Sequence, residues 1–418
     1  MANNFAYASN WVSMKVLWFL KNSLEIASMF TSEWESEFGK TFAVGSTVQI
    51  KQPQSWNVTS GLTYQEQGMA PLTTTINLDQ IKGIHFGWDS LEKALKMERS
   101  EREIEEMYLN PAGLQLAQQV DSDAAAWAAQ WTNNVVGTLG TDSTTIDFAL
   151  AAEQVLFTLA CPQEGTKHLC LSPSLNRSYV KNNVSLFNPA PEISKMYRQG
   201  VIGTAAGWEW YRSNSLVSHT CGTAPTGGVT VNGAGQSGAT LIVTGTNGQT
   251  INPGDKFSIA AVNAVNPRTR VKSSLGLKNF VYTGAAPFVL TGGADSIPIS
   301  PAIFGPGAQG PSQYQNVDAL PANGAALTFF PGTTTPSGLT GTVSLGLSKY
   351  AFAKAFAKLE NPTAVEKSER ATDPETGASI SFVRAWDQFN RKMTNRYDMC
   401  YGFGNLYPDA GAVAIVGA

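Results

Sequence analysis

The chain has 418 residues, more than one compact core usually holds, so two or more domains are expected. Charged residues make up only 15% of it, well below the roughly 25% of ordinary soluble domains, which indicates a surface covered in part by neighbouring subunits. The net charge of −3 and the lack of any run of five or six basic residues exclude a protein that binds nucleic acid strongly.

The N-terminal stretch from Trp11 to Phe30 is apolar, but Lys15, Lys21 and Glu25 interrupt it. This argues against a signal peptide or a membrane span, so a cytoplasmic product is expected. The apolar residues have helical spacing and predict an amphipathic arm helix within residues 1–30 that needs a partner surface. Four cysteines are too few for a disulfide framework, which agrees with a reducing compartment.

Residues 31–72 predict a long β-hairpin with little core of its own. Val48 and Ile50 alternate with polar residues, and proline and glycine punctuate the rest. Such a hairpin is stable only when it lies on something else, so many weak contacts with a neighbouring subunit are expected here. The candidate inter-subunit contacts are Glu33, Glu35, Glu37, Lys40 and Lys51.

Residues 73–140 predict one continuous strand over 73–88, two capped helices and a long helix. The helix caps are the pairs Asp89 with Glu92 and Ser100 with Glu103, in which the acid returns a bond to the cap amide. Asn110 and Pro111 begin the long helix, and its Ala-rich pattern predicts a rigid rod over residues 111–136. At 1.5 Å per residue this rod would span roughly 40 Å.

Helical patterns continue at 142–159 and 173–182, within a segment assigned to residues 141–222. After Cys221 the composition changes to Thr, Gly, Val, Asn and Pro, and residues 223–340 predict an inserted antiparallel β-domain. The host domain resumes over 341–375 with a predicted helix at 348–359. Alternating strands over 376–418 complete the chain, and its apolar end is expected to close a sheet with distant residues.

Several short segments resemble one family. Ser36 to Gly39 and Val44 to Val48 resemble the start of that family's extended loop, Asn252 to Ala260 resembles its inserted domain, and Asp373 to Gly377 and Tyr397 to Gly402 resemble its C-terminal part. In these segments and in the order of its predicted elements, the chain resembles the major capsid proteins of tailed bacteriophages with the Hong Kong 97 fold. The branch is that of the Salmonella short-tailed phage coat protein, which carries an inserted domain.

The resemblance implies an α+β, Hong Kong 97-like capsid fold. Its parts would be an N-terminal arm, an extended loop, a peripheral domain with a long spine helix and an axial domain with an inserted antiparallel β-barrel. It also implies pentamers and hexamers in an icosahedral virion shell, assembled in the host cytoplasm. A scaffolding protein and a portal protein are the implied partners, and the shell would enclose double-stranded DNA without reading its sequence, with no membrane involved.

Candidate chemistry is sparse. His168 with Cys170 and His219 with Cys221 place soft ligands on one strand face, but the spacing of common zinc sites is absent, so buried thiols and no metal are expected. Nucleophile-elbow, metalloprotease and phosphate-loop motifs are also absent. Asp121 and Asp123 lie about 200° apart on a helix and cannot form a catalytic pair. We therefore expect no enzyme activity and no cofactor.

Two rival interpretations stay open. The β-rich middle favours a secreted surface-binding adhesin, although no secretion signal is evident. An encapsulin-like compartment shell shares the expected fold but should lack the inserted domain and would recruit a cargo enzyme.

Overall fold

The computed structural model describes most of the chain. The description does not extend to residues 1–13, 15, 19, 21–22, 33–46, 53, 59–60, 62–63, 65, 70, 90–109, 183–202, 307–311, 331–337, 361, 364, 374–376, 390–391 and 418. Both predicted helix caps, at Asp89 with Glu92 and at Ser100 with Glu103, therefore fall wholly or partly outside it.

The described α-helices are α1 Asn110–Trp131, α2 Asp147–Thr158 and α3 Pro173–Asn182. Short 3-10 helices are found at Ala27–Met29, Ala224–Gly227 and Ser312–Tyr314. Within the predicted arm helix, residues 14, 16–18, 20 and 23 have helical backbone. None of the helices in the described part of the chain combines the length and apolar content needed to cross a bilayer.

The described strands, in chain order, are β1 Thr47–Lys51, β2 Thr73–Asn77, β3 Gln80–Asp89, β4 Asn134–Gly137, β5 His168–Leu171, β6 Thr204–Ala205, β7 Trp208–Arg212, β8 Ser218–Thr220, β9 Thr230–Val231, β10 Gly238–Thr244, β11 Thr250–Ile251, β12 Lys256–Val265, β13 Lys272–Tyr282, β14 Phe288–Val289, β15 Asp295–Ile303, β16 Leu327–Phe329, β17 Thr340–Leu347, β18 Phe352–Ala357, β19 Lys367–Thr372, β20 Ser379–Asp387, β21 Lys392–Asn405 and β22 Ala412–Val416.

The chain divides into two compact units. The first comprises Met1–Ile50, Thr74–Ala124 and Ala353–Gly404. The second comprises Lys51–Thr73, Ala125–Phe352 and Asn405–Ala418.

The first unit is built on strand β21. Its sheet has the order β18-β21-β20-β19, and β3 also pairs with β21. Strands β3 and β21 run antiparallel from Gln80 opposite Tyr401 to Asp89 opposite Lys392. Gly83 permits this approach, because a Cβ there would lie 2.7 Å from the carbonyl oxygen of Tyr397. The alternating apolar residues predicted near the C-terminus thus form strands β20 and β21.

The second unit contains a mixed sheet in the order β4-β22-β17-β5-β7-β6, with β8 also paired to β17. The pairs β4 with β22 and β5 with β7 are parallel. Helices α2 and α3 contribute to its apolar core, where the fully buried Trp208 donates its indole N–H to the carbonyl oxygen of Ala149 at 3.1 Å. The apolar end of the chain closes this sheet as β22, as predicted.

Strands β9 to β16 of the same unit lie between β8 and β17. Six of them form an antiparallel sheet in the order β16-β12-β13-β15-β10-β9, and β11 pairs with β14. Backbone hydrogen bonds from Val231 to Ala325 at 2.9 Å and from Leu327 to Val229 at 2.9 Å join the two end strands. The enclosed core includes the fully buried side chains of Phe257 and Phe280.

The predicted rod over residues 111–136 is wrong at its C-terminal end, because α1 ends at Trp131 and is about 33 Å long. The β-branched Val135 and Val136 instead form β4, which pairs in parallel with Ala414 and Ile415 of β22. Pairing with the distant strand β22 therefore outweighed the local helical periodicity at Val135 and Val136.

Two further local predictions are corrected. Residues 348–359 do not form a helix, because Phe352–Ala357 is strand β18. This strand is buried along nearly its whole length, so it lacks the alternation that separates a strand from a buried helix. The single strand predicted over 73–88 is interrupted after Asn77, where β2 ends before β3 begins at Gln80.

Candidate functional site

The predicted inter-subunit contacts are only partly visible. Glu33, Glu35, Glu37 and Lys40 lie outside the described residues. Lys51 is the last residue of β1, and its side chain is exposed. Their role in contacts between subunits stays a prediction.

The four candidate metal ligands do not gather in one place. His168 and Cys170 lie on β5, where the His168 ring is 3.5 Å from the Glu209 carboxylate and Cys170 is fully buried opposite Leu345 of β17. His219 and Cys221 lie at the end of β8, and with Asp255 they form a group whose ligand atoms are within 4.8 Å of one another. The sequence prediction had not included Asp255.

Asp255 holds the second group together. Its buried carboxylate accepts hydrogen bonds from the backbone N–H of Asn252 at 2.7 Å and of Gly222 at 3.1 Å. The His219 ring lies 2.9 Å from its other oxygen, and since an ionised carboxylate only accepts, the imidazole nitrogen is the donor. Three potential ligands are present rather than the four of a structural zinc site, and the Asp255 oxygens are already engaged.

Burial disfavours the charged forms of both the thiol and the amine beside this carboxylate. Burial raises the pKa of the Cys221 thiol to about 12, and the Asp255 carboxylate adds to the effect, so Cys221 is a neutral thiol. Burial lowers the pKa of Lys256 to about 8, against the opposing effect of Asp255. Lys256 donates to the carbonyl oxygens of Ala129 and Gly254, both at 3.2 Å.

This polar group marks the place where the chain enters and leaves strands β9 to β16. The Cys221 N–H donates to the Leu339 carbonyl oxygen at 3.0 Å, and the Gly338 N–H donates to the Cys221 carbonyl oxygen at 3.1 Å. Asp255 fixes the start of β12 to the same point through Gly222. Its arrangement supports a structural role, in which buried hydrogen bonds fix the two ends of the segment that contains strands β9 to β16.

A buried ion pair makes a second attachment. Lys278 of β13 is almost fully buried, and its ammonium lies 2.5 Å from the Asp409 carboxylate near β22. Asn134 of β4 donates to the carbonyl oxygens of Asp409 at 3.1 Å and Ala412 at 3.2 Å. Strands β9 to β16 are therefore tied to the sheet that contains β4 and β22 by groups that are costly to leave unpaired.

In the first unit, Asp121 of α1 anchors the end of the arm. Its carboxylate is buried and accepts the backbone N–H groups of Glu25 at 2.7 Å and Ala27 at 2.8 Å. The buried Lys354 of β18 donates to the Ala27 carbonyl oxygen at 2.7 Å. Burial raises the pKa of Asp121 to about 6, although the two backbone donors oppose the shift. Asp123 instead accepts from Tyr401 at 2.5 Å, so the two carboxylates have separate partners, as the helical spacing predicts.

Comparisons with known proteins decide the family. The model described as P22 coat protein, gene protein 5, matches residues 1–417. The chain belongs to the P22 coat protein family. This places it among the coat proteins of bacteriophages, which are structural capsid proteins and generally not enzymes. A comparison with curated protein sequences gives no match.

Solved structures similar to this coat-family chain include several from phages and a virus-like particle from Pyrococcus furiosus. A structure from Mycobacterium phage Che8 is 12% identical, covers 94% of this chain and 90% of its own, and has a TM-score of 0.47. The capsid of Ralstonia phage GP4 is 7% identical, with 93% and 86% coverage and a TM-score of 0.45. The capsid of cyanophage P-SCSP1u is 14% identical, with 90% and 85% coverage and a TM-score of 0.42. With TM-scores below 0.5, these likenesses add nothing to the family assignment.

For a coat protein, the exposed apolar side chains are the most informative surface feature. Single exposed apolar residues are ordinary, whereas several exposed in one short segment are less so. Among the described residues of 51–72, four large apolar side chains are exposed, with exposed fractions of 51% for Trp56, 94% for Val58, 84% for Tyr64 and 82% for Met69. The contacts predicted from the sequence did not include these four residues, because only ionisable residues were considered.

Proposed function

We propose that the chain is the major capsid protein of an icosahedral shell and that residues 51–72 make contacts between its copies. The observation that carries the proposal is the exposure of Trp56, Val58, Tyr64 and Met69 in a segment with no core of its own. Burying one such side chain at an interface is favourable by about 1.5 to 3 kcal/mol, so repeated copies of the segment would stabilise a shell substantially.

The proposed layout is that of a Hong Kong 97-like subunit. Residues 1–30 are the arm, 31–72 the extended loop, and 73–140 with 376–418 the peripheral domain, which includes the sheet around β21. Residues 141–222 and 341–375 are the axial domain, and 223–340 are the inserted β-barrel. Hydrogen bonds between the end strands near Val231 and Leu327 support the assignment of a barrel.

The proposed assembly route follows the family resemblance. Pentamers and hexamers form a procapsid in the host cytoplasm with the help of a scaffolding protein, and one vertex holds a portal protein. Double-stranded DNA then enters and the shell expands. The net charge of −3 supports a lining that encloses DNA without binding it tightly, because a condensing surface would be basic.

The two rivals are weaker. An adhesin is disfavoured by the coat protein family, which covers residues 1–417. An encapsulin-like shell is disfavoured by strands β9 to β16, since a compartment shell of that kind is expected to lack an inserted domain. Electron microscopy distinguishes these functions, because a capsid protein forms closed shells in the presence of a scaffold and an adhesin stays dispersed.

The sharper test removes residues 58–66, which leaves β1 and β2 in place. Expressed with its scaffold, this variant should remain a soluble, folded subunit that forms no closed shells. A matched control replaces the exposed Val289 of β14 by Ser, which should leave shell formation unchanged. Normal shells from the deletion variant would contradict the proposed role of residues 51–72, the extended segment.

A further inference from the structure

A turn at one end of the inserted strands has an unusual backbone. Asn266 organises it, since its side-chain oxygen accepts the N–H groups of Arg268 at 2.9 Å and Thr269 at 3.3 Å. The Arg270 N–H then donates to the Asn266 carbonyl oxygen at 2.7 Å. Arg270 closes the turn with φ +56°, in the left-handed region.

Arginine is a poor choice for that backbone conformation. Glycine adopts it without strain and asparagine tolerates it, whereas other side chains are disfavoured. Backbone strain of this kind persists only where the surrounding structure holds the residue in place, often at a functional contact.

The guanidinium joins two segments that are far apart in sequence. One nitrogen, Nη2, donates to the carbonyl oxygen of Trp56 at 3.1 Å and to that of Gln313 at 3.0 Å. Trp56 lies in the extended segment, 214 residues away. Both bonds are assisted by the positive charge of the guanidinium, which strengthens them relative to neutral hydrogen bonds.

Neighbouring residues contact both limbs of the same hairpin. The buried Gln313 reaches the second limb by donating to the Gly68 carbonyl oxygen at 3.4 Å. The Tyr314 hydroxyl donates to the Gln54 side-chain oxygen on the first limb at 3.3 Å. Arg270, Gln313 and Tyr314 thus form a polar seat that contacts Gln54, Trp56 and Gly68.

The two limbs are also fastened to each other. The Asn57 N–H donates to the Gln67 side-chain oxygen at 2.8 Å, and the Gln67 amide donates back to the Asn57 carbonyl oxygen at 2.6 Å. This reciprocal pair closes the hairpin at the level of the seat. Val58 and Tyr64 lie beyond it along the chain and are largely exposed.

We propose that the inserted domain is an intramolecular seat for the chain's own extended segment, with Arg270 as its central contact. The seat orders the polar limbs within the subunit, and it leaves the apolar side chains exposed for a second copy of the chain. Ordering the segment before association reduces the entropy lost when the copies meet. Only the contact with a second copy rests on the proposed function; the seat within one subunit does not.

The contact is polar and consists of a few hydrogen bonds, so it is readily released. Among the described residues of 51–72, none belongs to the apolar core around Phe257 and Phe280. A seat of this strength holds the segment in the free subunit and still permits it to move when a neighbouring copy offers a larger surface.

Hydrogen exchange of the unassembled full-length subunit tests the seat directly. The variant Arg270→Gly removes the guanidinium and also relieves the backbone strain, so it should fold at least as well as the parent protein. Peptides covering residues 52–58 and 66–69 should exchange about fivefold faster in this variant, because the segment opens more often. The melting temperature should not fall.

Arg268→Gly is the matched control, since Arg268 lies in the same turn with an exposed side chain. It should exchange like the parent protein. Equal exchange in Arg270→Gly and the parent, an equal increase in both variants, or fully unprotected exchange in the parent would each overturn the proposal.

A second measurement separates this proposal from the capsid function. With its scaffold, Arg270→Gly should form shells more slowly than the parent protein while the finished shells look the same. An unchanged assembly rate would overturn the role in presentation to a second copy. Failure of the parent protein to form any shells would contradict the capsid function and leave the exchange result standing.

Discussion

Strands β9 to β16 and the extended segment over residues 51–72 achieve order by opposite means. The strands enclose their own apolar core, in which Phe257 and Phe280 are fully buried. The segment exposes Val58 and Tyr64 to water and is held by polar contacts through Arg270 and Gln313. The first region is stable within one chain, whereas on the proposed function the second makes its remaining contacts with another copy. A coat protein needs both, because a shell requires rigid subunits with unsatisfied surfaces.

The largest expected effect breaks the first region. Phe280→Ala should lower the free energy of unfolding by about 3 to 5 kcal/mol, since it leaves a cavity in a dense core. Tyr64→Ala is the matched aromatic truncation in the second region and should change subunit stability by less than about 0.5 kcal/mol. Urea unfolding of the unassembled subunits measures both. Similar losses from the two substitutions would show that the regions do not differ in this way.

Removing the buried ammonium of Lys278 should have the next largest effect. Lys278→Ala leaves the Asp409 carboxylate without its charge partner at the base of the inserted strands and should cost about 3 kcal/mol. Lys278→Met keeps most of the volume and serves as the comparison for lost packing. The Asn316 side-chain amide also donates to the Asp409 carboxylate, at 3.3 Å. If Lys278→Ala unfolds with the same free energy as the parent protein, Asn316 suffices to hold that carboxylate and the prediction is wrong.

A smaller effect concerns the anchor of the arm. The pKa of Asp121 is raised from 3.8 to about 6, so the folded protein holds an extra proton between these values. The stabilisation from protonation is fully present below pH 3.8 and is lost as the pH rises through about 6. Lowering the pH from 7 to 5 should therefore add about 1 kcal/mol to the stability of the unit that contains Asp121.

Asp121→Asn removes this titration and provides the reference. The difference between the parent protein and the variant, measured by unfolding at each pH, isolates Asp121 from all other titrating groups. A difference that is constant between pH 5 and pH 7, or one that changes in the opposite direction, would contradict the assignment.

The smallest expected effect concerns metal. The Asp255 oxygens are already used by Asn252, Gly222 and His219, so purified protein should contain far less than one zinc ion per subunit. Treatment with a chelator should leave the melting temperature unchanged. Near-stoichiometric zinc, lost together with stability on chelation, would mean that His219, Cys221 and Asp255 form a metal site.

Local sequence patterns predicted the elements whose determinants are local. Helix α3 begins at Pro173 and ends at Asn182, as its pattern predicts, because a proline start and helical spacing both act within the segment. The end of α1 was not predictable in this way, since Val135 and Val136 pair with β22 at the far end of the chain. Strand β18 was missed because burial along its whole length removes the alternation of a strand.

The functional contacts were harder still to predict. Asp121 binds backbone groups 94 and 96 residues away, Asp255 binds a ring 36 residues away, and Arg270 reaches Trp56 across 214 residues. The residues next to Asp121, Asp255 and Arg270 in sequence do not indicate which distant groups they bind. The predicted contacts are all ionisable residues, and four of the five lie outside the described residues, so their role stays a prediction. The structure adds exposed apolar residues that the sequence patterns had not singled out.

On the proposed function, the apolar side chains of the extended segment join copies of the chain without stabilising the single subunit. The most direct test replaces Val58, Tyr64 and Met69 together by Ser and compares sedimentation and electron microscopy with the parent protein, each in the presence of scaffold. We predict closed shells from the parent, and from the variant a subunit of unchanged melting temperature that stays unassembled. Closed shells from the variant at the parental yield, or a variant subunit that no longer folds, would contradict the account.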